Sequence, residues 1–337
     1  MNGTPRRPVL LGVGGDSGSG KTTITRGLVQ LFGAGNVTSI CLDDYHKLDR
    51  NARAAAGVTA LNPAANDLAL LEEHMAALRR GESVLKPVYD HSTGTFGEPE
   101  EVHPKPWIIV RGLFPLFTER LRRTFDLKVW LEPDTELKYH WKVQRDVAQR
   151  GYTVEQVIRH IVDRQDDLRR YILPQAGHAD LQVQFHPPEG FFHTGEDHDP
   201  AQRELHVRLT VRPETPVAPV LDSLMGIVRG GSRPPASSAG RPGIRLGQAG
   251  VNGHTAAVLE VDGGLDPATT APLLEVLLRR LAPLDPDQPG LGTFLAGGRT
   301  PARSHTLMVT QLLIANAMLA AVQHEGSRPS PRARMVD

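Results

Sequence analysis

The sequence predicts an α/β protein: a three-layer fold on a mixed, mostly parallel central sheet, with a C-terminal α+β extension. Three observations carry that prediction. Apolar runs suited to strands covered on both faces alternate with segments of helical period. The first apolar run feeds into a Gly-rich loop that ends in Lys-Thr and opens a helix. Beyond residue 180 a pair of segments alternates apolar and polar residues, the pattern of strands with unlike faces.

Val9-Leu10-Leu11-Gly12-Val13 is the first strand, and Ile24, Leu28 and Leu31 give the following helix its apolar face. Between them, Gly15-Asp16-Ser17-Gly18-Ser19-Gly20-Lys21-Thr22, with Thr23 next, fits the nucleotide-phosphate loop G-x-x-x-x-G-K-[ST]. Glycines let backbone N–H groups wrap phosphates, and the helix N-terminus adds the positive end of its dipole. Lys21 is expected to reach the β- and γ-phosphates, and the Thr22 hydroxyl to take Mg²⁺. This strand–loop–helix unit is that of P-loop NTPases and predicts ATP and Mg²⁺ as cofactors.

A second strand over 37–42 ends on Asp43-Asp44-Tyr45-His46. A helix is expected over 66–80 and a doubly covered strand over 107–110. Another strand spans 127–131, and a helix over 135–150 closes on Gly151 as its C-cap. Thr153-Val154-Glu155-Gln156 has capping-box spacing for the next helix. Segments 181–185 and 205–211 read as a strand pair. The polar loop between them holds His186, His193 and His198, whose spacing matches no standard metal-ligand set, so a solvated loop is expected. Residues 230–243, rich in Gly, Pro and Ser, read as a flexible connection. Beyond them come a strand over 256–261 and helices over 271–281 and 307–322. The expected organisation is a P-loop domain over 1–229, a flexible linker over 230–243, an α+β extension packed on the core over 244–325, and a disordered tail over 326–337.

Composition narrows the classes. Of 337 residues, 38 are Lys or Arg and 38 Asp or Glu, so no overall charge marks a nucleic-acid or membrane-surface binder. The single cysteine, Cys41, excludes an internal disulfide and suits a reducing compartment. The polar start of the chain has no signal-peptide form, and no run is read as long enough for a membrane span. A cytoplasmic protein without nucleic-acid or membrane partners is expected.

A phosphate loop identifies a nucleotide, not a reaction. Asp43 stands at the carboxyl end of the second strand, where open parallel sheets gather ligands, and a carboxylate there can take a proton from an attacking hydroxyl. On the 135–150 helix, Lys142, Arg145, Asp146, Gln149 and Arg150 share one face. Spacing alone fits two readings equally: a solvated salt-bridged face, or a clamp of cations on phosphates with Asp146 on the metal or base network.

The chain resembles the phosphoribulokinases of the Calvin cycle, and more closely their plant and cyanobacterial class. The resemblance rests on Gly15-Asp-Ser-Gly-Ser-Gly-Lys-Thr-Thr23, on Cys41-Leu-Asp-Asp-Tyr-His46 with Arg50, and on Gly57-Val-Thr-Ala-Leu-Asn-Pro-Ala-Ala-Asn-Asp67. It continues through Lys86-Pro-Val-Tyr-Asp-His91 with Thr93-Gly94, Lys142-Val-Gln-Arg-Asp146 and Arg150-Gly-Tyr-Thr153, and ends with Gly253-His254 and Val258-Leu-Glu-Val-Asp-Gly263. It implies Asp43 as the base, His46, Arg50, Tyr89 and His91 as contacts of ribulose 5-phosphate, and Lys142, Arg145 and Arg150 as phosphate holders. Asp146 is implied as an essential carboxylate near Mg²⁺, Lys21 as catalytic, and the assembly as a homodimer.

Two departures stand out. Where the family has Glu-Gly-Leu-His-Pro after the third strand, this chain has Arg111-Gly112-Leu113-Phe114-Pro115. A guanidinium cannot coordinate a metal. Arg111 is therefore expected to turn away, to neutralise phosphate charge, or to disable catalysis. Ser19 stands where the plant-type enzyme has the partner of its regulatory disulfide, so a thiol switch with Cys41 is excluded and Cys41 reads as a small buried hydrophobe. The expected function is phosphorylation of D-ribulose 5-phosphate at O1 to ribulose 1,5-bisphosphate. The alternatives are a related nucleoside or sugar-phosphate kinase and a catalytically weak nucleotide-binding paralogue.

Overall fold

The computed structural model describes residues 7–189, 191–192, 204–215, 217, 221, 243–251, 253–265, 267–279, 281, 290–296 and 300–325. In chain order the strands are β1 (Val9–Gly15), β2 (Val37–Cys41), β3 (Val84–Asp90), β4 (Thr95–Val102), β5 (Trp107–Gly112), β6 (Leu127–Leu131), β7 (Leu181–His186), β8 (His206–Val211), β9 (Ile244–Val251), β10 (His254–Val261), β11 (Thr293–Ala296) and β12 (Thr300–Arg303). The helices used below are α1 (Lys21–Phe32), α2 (Arg50–Ala55), α3 (Leu68–Arg80), α4 (Glu119–Thr124), α5 (Thr135–Arg150), α6 (Val154–Asp163), α7 (Pro267–Arg279) and α8 (His305–Glu325).

One eight-stranded sheet runs in the order β2-β5-β1-β6-β7-β8-β10-β9. Its first five strands are parallel, and β8, β10 and β9 continue it antiparallel. The mixed, mostly parallel α/β architecture read from the sequence is the one found. Strand periodicity divides the core between the two faces. Val9, Leu11 and Val13 of β1 and Trp107 and Ile109 of β5 face α1 and α8. Leu10, Ile108 and Val110 point the other way, towards Leu71, Met75 and Leu78 of α3 and Leu121 of α4. Runs such as Trp-Ile-Ile-Val are apolar throughout because water reaches neither face.

Local signals set the element ends. Gly151 takes the left-handed conformation (φ 70°) and donates to the Asp146 carbonyl, which ends α5. Both halves of the Thr153–Gln156 capping box are present at the start of α6. The 66–80 helix begins at Leu68, because the Asp67 side chain caps it by accepting from the Leu70 amide, while Asn66 pairs with His46. His193 and His198, residues 230–242 of the connection and the 326–337 tail lie outside the described residues.

The expectation about membrane-length segments is corrected by α8. Its His305–Val322 stretch has a mean hydropathy of 1.5 and the length of a span, yet 67% of it is buried inside the protein. It packs on α1 and across β1, β6 and β8. A helix enclosed on most sides is apolar on most sides, and that places it in the core. Its polar residues have internal partners: Gln311 donates to the Thr23 carbonyl and accepts from the Gly292 amide, and Asn316 donates to the Leu277 and Leu312 carbonyls. Gly27 of α1 lies against Gln311 so closely that a methyl group there would collide with it. The C-terminal helix thus braces the helix that starts at the phosphate loop.

Candidate active site

The carboxyl ends of β1, β2 and β5 lie side by side, as the parallel register requires. Gly15 to Gly20 leave β1 and turn into α1, whose first turn has no side-chain cap. Its free N–H groups and dipole favour an anion there. Gly18, at φ 90°, lies under α5, where a Cβ would sit 3.0 Å from that of Lys142. The loop needs glycine at Gly18 both for backbone conformation and for space. Thr22 and Thr23 follow at the helix start, with Thr22 exposed. Lys21 Nζ donates to the carbonyls of Gly15 (2.8 Å) and Asp16 (2.7 Å) and lies 3.4 Å from Ser19 Oγ. Burial pushes its pKa down to about 8, against the opposing charges of Asp16 and Asp43.

The Asp16 side chain, 3% exposed, anchors the loop. It accepts from Arg164 Nη2 at 2.9 Å and from the Ser17 amide at 2.6 Å, with Lys138 Nζ at 3.5 Å. Sequence reasoning missed Lys138 and Arg164. Lys138 carried a usable signal, since it lies one turn before Lys142 on the same helical face. Arg164 follows α6 and is brought in only by the fold.

The two aspartates after β2 separate cleanly. Asp44 is held by Lys86 Nζ (2.6 Å) and the Tyr89 amide (3.0 Å), and so pins the β3–β4 hairpin. Asp43 faces the cleft, with His91 Nε2 3.2 Å from its Oδ2. Burial pushes the Asp43 carboxyl up, but the hydrogen bond from His91 and the pull of His46, His91 and Lys21 outweigh it and hold it well below the usual carboxylate range. His46 Nδ1 meets Asn66 Oδ1 at 2.7 Å, and burial lowers the pKa of its ring. Tyr89 stands edge-on between His46 and His91, its hydroxyl accepting from Arg53. Arg50 donates to the His91 carbonyl at 2.5 Å, and its guanidinium lies over Tyr152. His46, Arg50, Tyr89 and His91 therefore form one wall beside Asp43.

The shared face of α5 forms the facing wall. Lys142 Nζ lies 2.6 Å from one Asp146 oxygen, while Arg145 (2.7 Å) and Arg150 (3.4 Å) share the other. Arg145 also donates to Ser17 of the phosphate loop at 3.0 Å. Burial and the charge of Arg164 lower Lys142 to about 8. Burial would raise Asp146, but Arg145, Lys142 and Arg150 hold it ionised. Arg150 and Asp43 are near enough for their charges to interact. Around this cleft, among the described residues, Lys138, Lys142, Arg145, Arg150 and Arg164 form their ion pairs with just two carboxylates, Asp16 and Asp146. A surplus of positive charge so placed suits a polyanionic ligand. The α5 face is thus no solvated ladder, since Asp146 is 3% exposed in its side chain.

Cys41 is corrected from a buried hydrophobe to a half-buried thiol at the cleft floor, receiving a hydrogen bond from Arg111 Nη1 at 3.4 Å. Burial raises its pKa to about 11, assisted by the charge of Asp43. Arg111 has thus turned along the sheet edge towards β2.

Among the described residues no group of three or more His, Cys, Asp or Glu side chains forms a protein-only metal cage. That donor set still fits Mg²⁺ carried by a nucleotide, because Mg²⁺ commonly takes one or two protein ligands and completes its shell with phosphates and water. Thr22 and Asp146 border the phosphate loop. Both Asp146 oxygens are occupied by cations, so it would turn to a metal only as phosphates draw those cations away.

Residues 10–190 match the model of the Phosphoribulokinase / Uridine kinase family. The phosphoribulokinase of Synechocystis sp. is 48% identical over 181 residues, covering 54% of this chain and 54% of that protein. The chloroplastic phosphoribulokinase of Spinacia oleracea is 38% identical over 201 residues, 55% of this chain and 50% of that one. The uridine kinase of Listeria innocua is 32% identical over 197 residues, 57% of this chain and 90% of that one. The chain spans about half the length of these two phosphoribulokinases, and the family match stops at residue 190, short of Gly263 where the resemblance in sequence ends. The structure of phosphoribulokinase from Rhodobacter spheroides covers 82% of this chain and 97% of its own length with a TM-score of 0.54 at 20% identity, so the fold is shared well beyond the sequence match. With more than half its length matched and the phosphate loop in its expected place, the chain belongs to the phosphoribulokinase/uridine kinase family.

Proposed function

We propose that this chain transfers the γ-phosphoryl group of ATP to O1 of D-ribulose 5-phosphate, giving ribulose 1,5-bisphosphate and ADP. The observation that carries the reading is the surplus of cations on α5 beside Asp43, additional to Lys21 and the phosphate-loop amides. A neutral acceptor needs no such surplus; one that already bears a phosphate does.

In this reading the loop amides and Lys21 hold the β- and γ-phosphates of ATP. Lys142, Arg145 and Arg150 hold phosphate charge on the facing wall. His46, Arg50, Tyr89 and His91 orient the sugar phosphate so that O1 lies in line with the γ-phosphorus. The O1–phosphorus bond forms as the bond to the ADP oxygen breaks, and Asp43 takes the hydroxyl proton. Mg²⁺, held by Thr22 and the nucleotide with Asp146 nearby, would neutralise charge on the phosphate oxygens.

The test is ADP release with Mg-ATP and ribulose 5-phosphate, with Asp43→Asn in parallel. The expected loss of kcat in Asp43→Asn is about 10²–10⁴-fold with ATP affinity retained. Turnover with Asp43→Asn close to that of the natural chain would remove Asp43 from the chemistry. The likeness to a uridine kinase over 90% of its length favours a second reading, a nucleoside acceptor. Uridine-dependent ADP release without ribulose 5-phosphate turnover would establish it and reject the first.

A further inference from the structure

Arg111 closes the carboxyl end of β5 between the two strands that matter most here. It is in register with Val13 of β1, which leads into the phosphate loop, and with Cys41 of β2, which leads into Asp43. Its side chain is half-buried. Among the described residues its hydrogen-bond partner is the Cys41 sulfur at 3.4 Å, and it makes no ion pair with a carboxylate. Sulfur is a weak acceptor, so most of the guanidinium's donors remain uncommitted. The other cleft arginines differ: Arg145 and Arg150 pair with Asp146, and Arg164 with Asp16.

A half-buried cation with no paired carboxylate is unfavourable unless a ligand compensates it. Cys41 lies within electrostatic reach of Lys21 on one side and of Asp43 and Arg111 on the other, with Arg111 donating to its sulfur at 3.4 Å. Lys21, Asp43 and Arg111 thus surround one sulfur from three elements. Lys21 belongs to the phosphoryl donor's side and Asp43 to the acceptor's. An anion bound between them would lie on the path of the phosphoryl group in the proposed reaction.

We propose that Arg111 is a ligand of the terminal phosphate of the bound nucleotide, supplying from within the chain part of the positive charge that a divalent ion otherwise brings. Its forked donors match phosphate oxygens in a way a lone ammonium does not. The consequence is nucleotide binding that depends unusually little on Mg²⁺, with a preference for ATP over ADP that comes from Arg111. The proposal rests on the kinase reading of this cleft but not on the identity of the acceptor.

The experiment is calorimetric titration of ATP, ADP and ribulose 5-phosphate into the natural chain, Arg111→Met and Arg111→Lys, each in Mg²⁺ and in EDTA. Thermal melts without ligand verify folding of each variant. In the natural chain, ATP affinity is expected to fall less than about tenfold on moving from Mg²⁺ to EDTA. In EDTA, Arg111→Met should weaken ATP by about tenfold to a hundredfold and ADP much less, the range for a charged hydrogen bond to phosphate. Arg111→Lys should recover part of the loss. Equal ATP affinity in Arg111→Met and the natural chain in EDTA overturns the proposal. So does weakened ribulose 5-phosphate binding with ATP unaffected, which would move Arg111 to the acceptor's phosphate. If the natural chain turns over uridine and not ribulose 5-phosphate while Arg111→Met still loses ATP in EDTA, the acceptor assignment fails and Arg111 keeps its role.

Discussion

The anchoring of the phosphate loop can be measured as a coupling energy. Asp16 and Arg164, distant in sequence, meet at 2.9 Å with side chains 3% and 8% exposed, and Lys138, 6% exposed, completes the set at 3.5 Å. Asp16→Asn takes the counter-charge from two buried cations at once. Breaking a buried ion pair by removing one partner costs about 3–5 kcal/mol, and the doubly deprived case belongs at the upper end. Arg164→Met is milder, because Asp16 keeps Lys138 and the Ser17 amide. Loss of one charge-assisted hydrogen bond with partial compensation is worth about 2 kcal/mol. In the double variant the stranded guanidinium is gone, so the two costs should fall short of their sum by about 1–3 kcal/mol. Urea unfolding of the four proteins, followed by the fluorescence of Trp107, Trp130 and Trp141, gives the cycle directly. Additivity within about 0.5 kcal/mol would show that the two side chains are energetically independent and refute the account of the loop.

Two further outcomes follow from the same geometry. Lys21 and Lys142 are lowered to about 8 in the folded chain from an ordinary 10.5. Between those limits the unfolded chain binds more protons than the folded one, so their contribution to stability rises with pH across the window. Phosphates favour the charged amines, so ATP affinity should fall as pH rises through about 8, with proton uptake on binding near pH 8.5. Calorimetry in two buffers of different ionisation enthalpy measures that uptake, and none would contradict the placement of Lys21. Gly94, at φ 80°, ends the β3–β4 turn against Arg50, where a Cβ would lie 2.7 Å from the guanidinium carbon. Gly94→Ala should cost about 1–2 kcal/mol from the left-handed backbone alone and displace Arg50. The expected signature is a raised KM for the sugar phosphate with ATP affinity unchanged; an unchanged KM would detach Arg50 from acceptor binding.

Much of this was legible in the sequence for local reasons. The phosphate loop is defined by contiguous residues, the α5 cations by helical spacing, and the covered strands by unbroken apolar runs. The β3–β4 hairpin was not legible, although it carries Tyr89 and His91. β4 reads Thr-Phe-Gly-Glu-Pro-Glu-Glu-Val and is exposed almost throughout, so no buried face imposes alternation on it. β9 hides for a related reason: none of its eight residues is fully buried, and two of them are glycines. The Asp43-Asp44 pair was ambiguous in sequence because the partner that commits Asp44 is Lys86, on that unread hairpin. Arg164 was invisible because its carboxylate partner lies far away in the chain. What escaped the sequence was the exposed strands and the long-range pairing of charges.

The charge pairing also says what kind of base Asp43 is in the proposed reaction. Asp16, Asp44 and Asp146 are each tied to lysine or arginine, whereas among the described residues the ion-pair partner of Asp43 is the His91 ring. Its carboxyl is nonetheless held well below the usual range, so it is a weak base towards a free sugar hydroxyl. A weak base suffices where the transition state is loose. The acceptor oxygen has formed little bond to phosphorus at that point and remains nearly neutral, so its proton leaves late. Early in the reaction Asp43 then acts by accepting a hydrogen bond and fixing the direction of attack, and it takes the proton only once the new bond has acidified the hydroxyl. The cations that depress its basicity are not at odds with this role, because the same field lowers the energy of the phosphoryl group passing between Lys21 and Asp43.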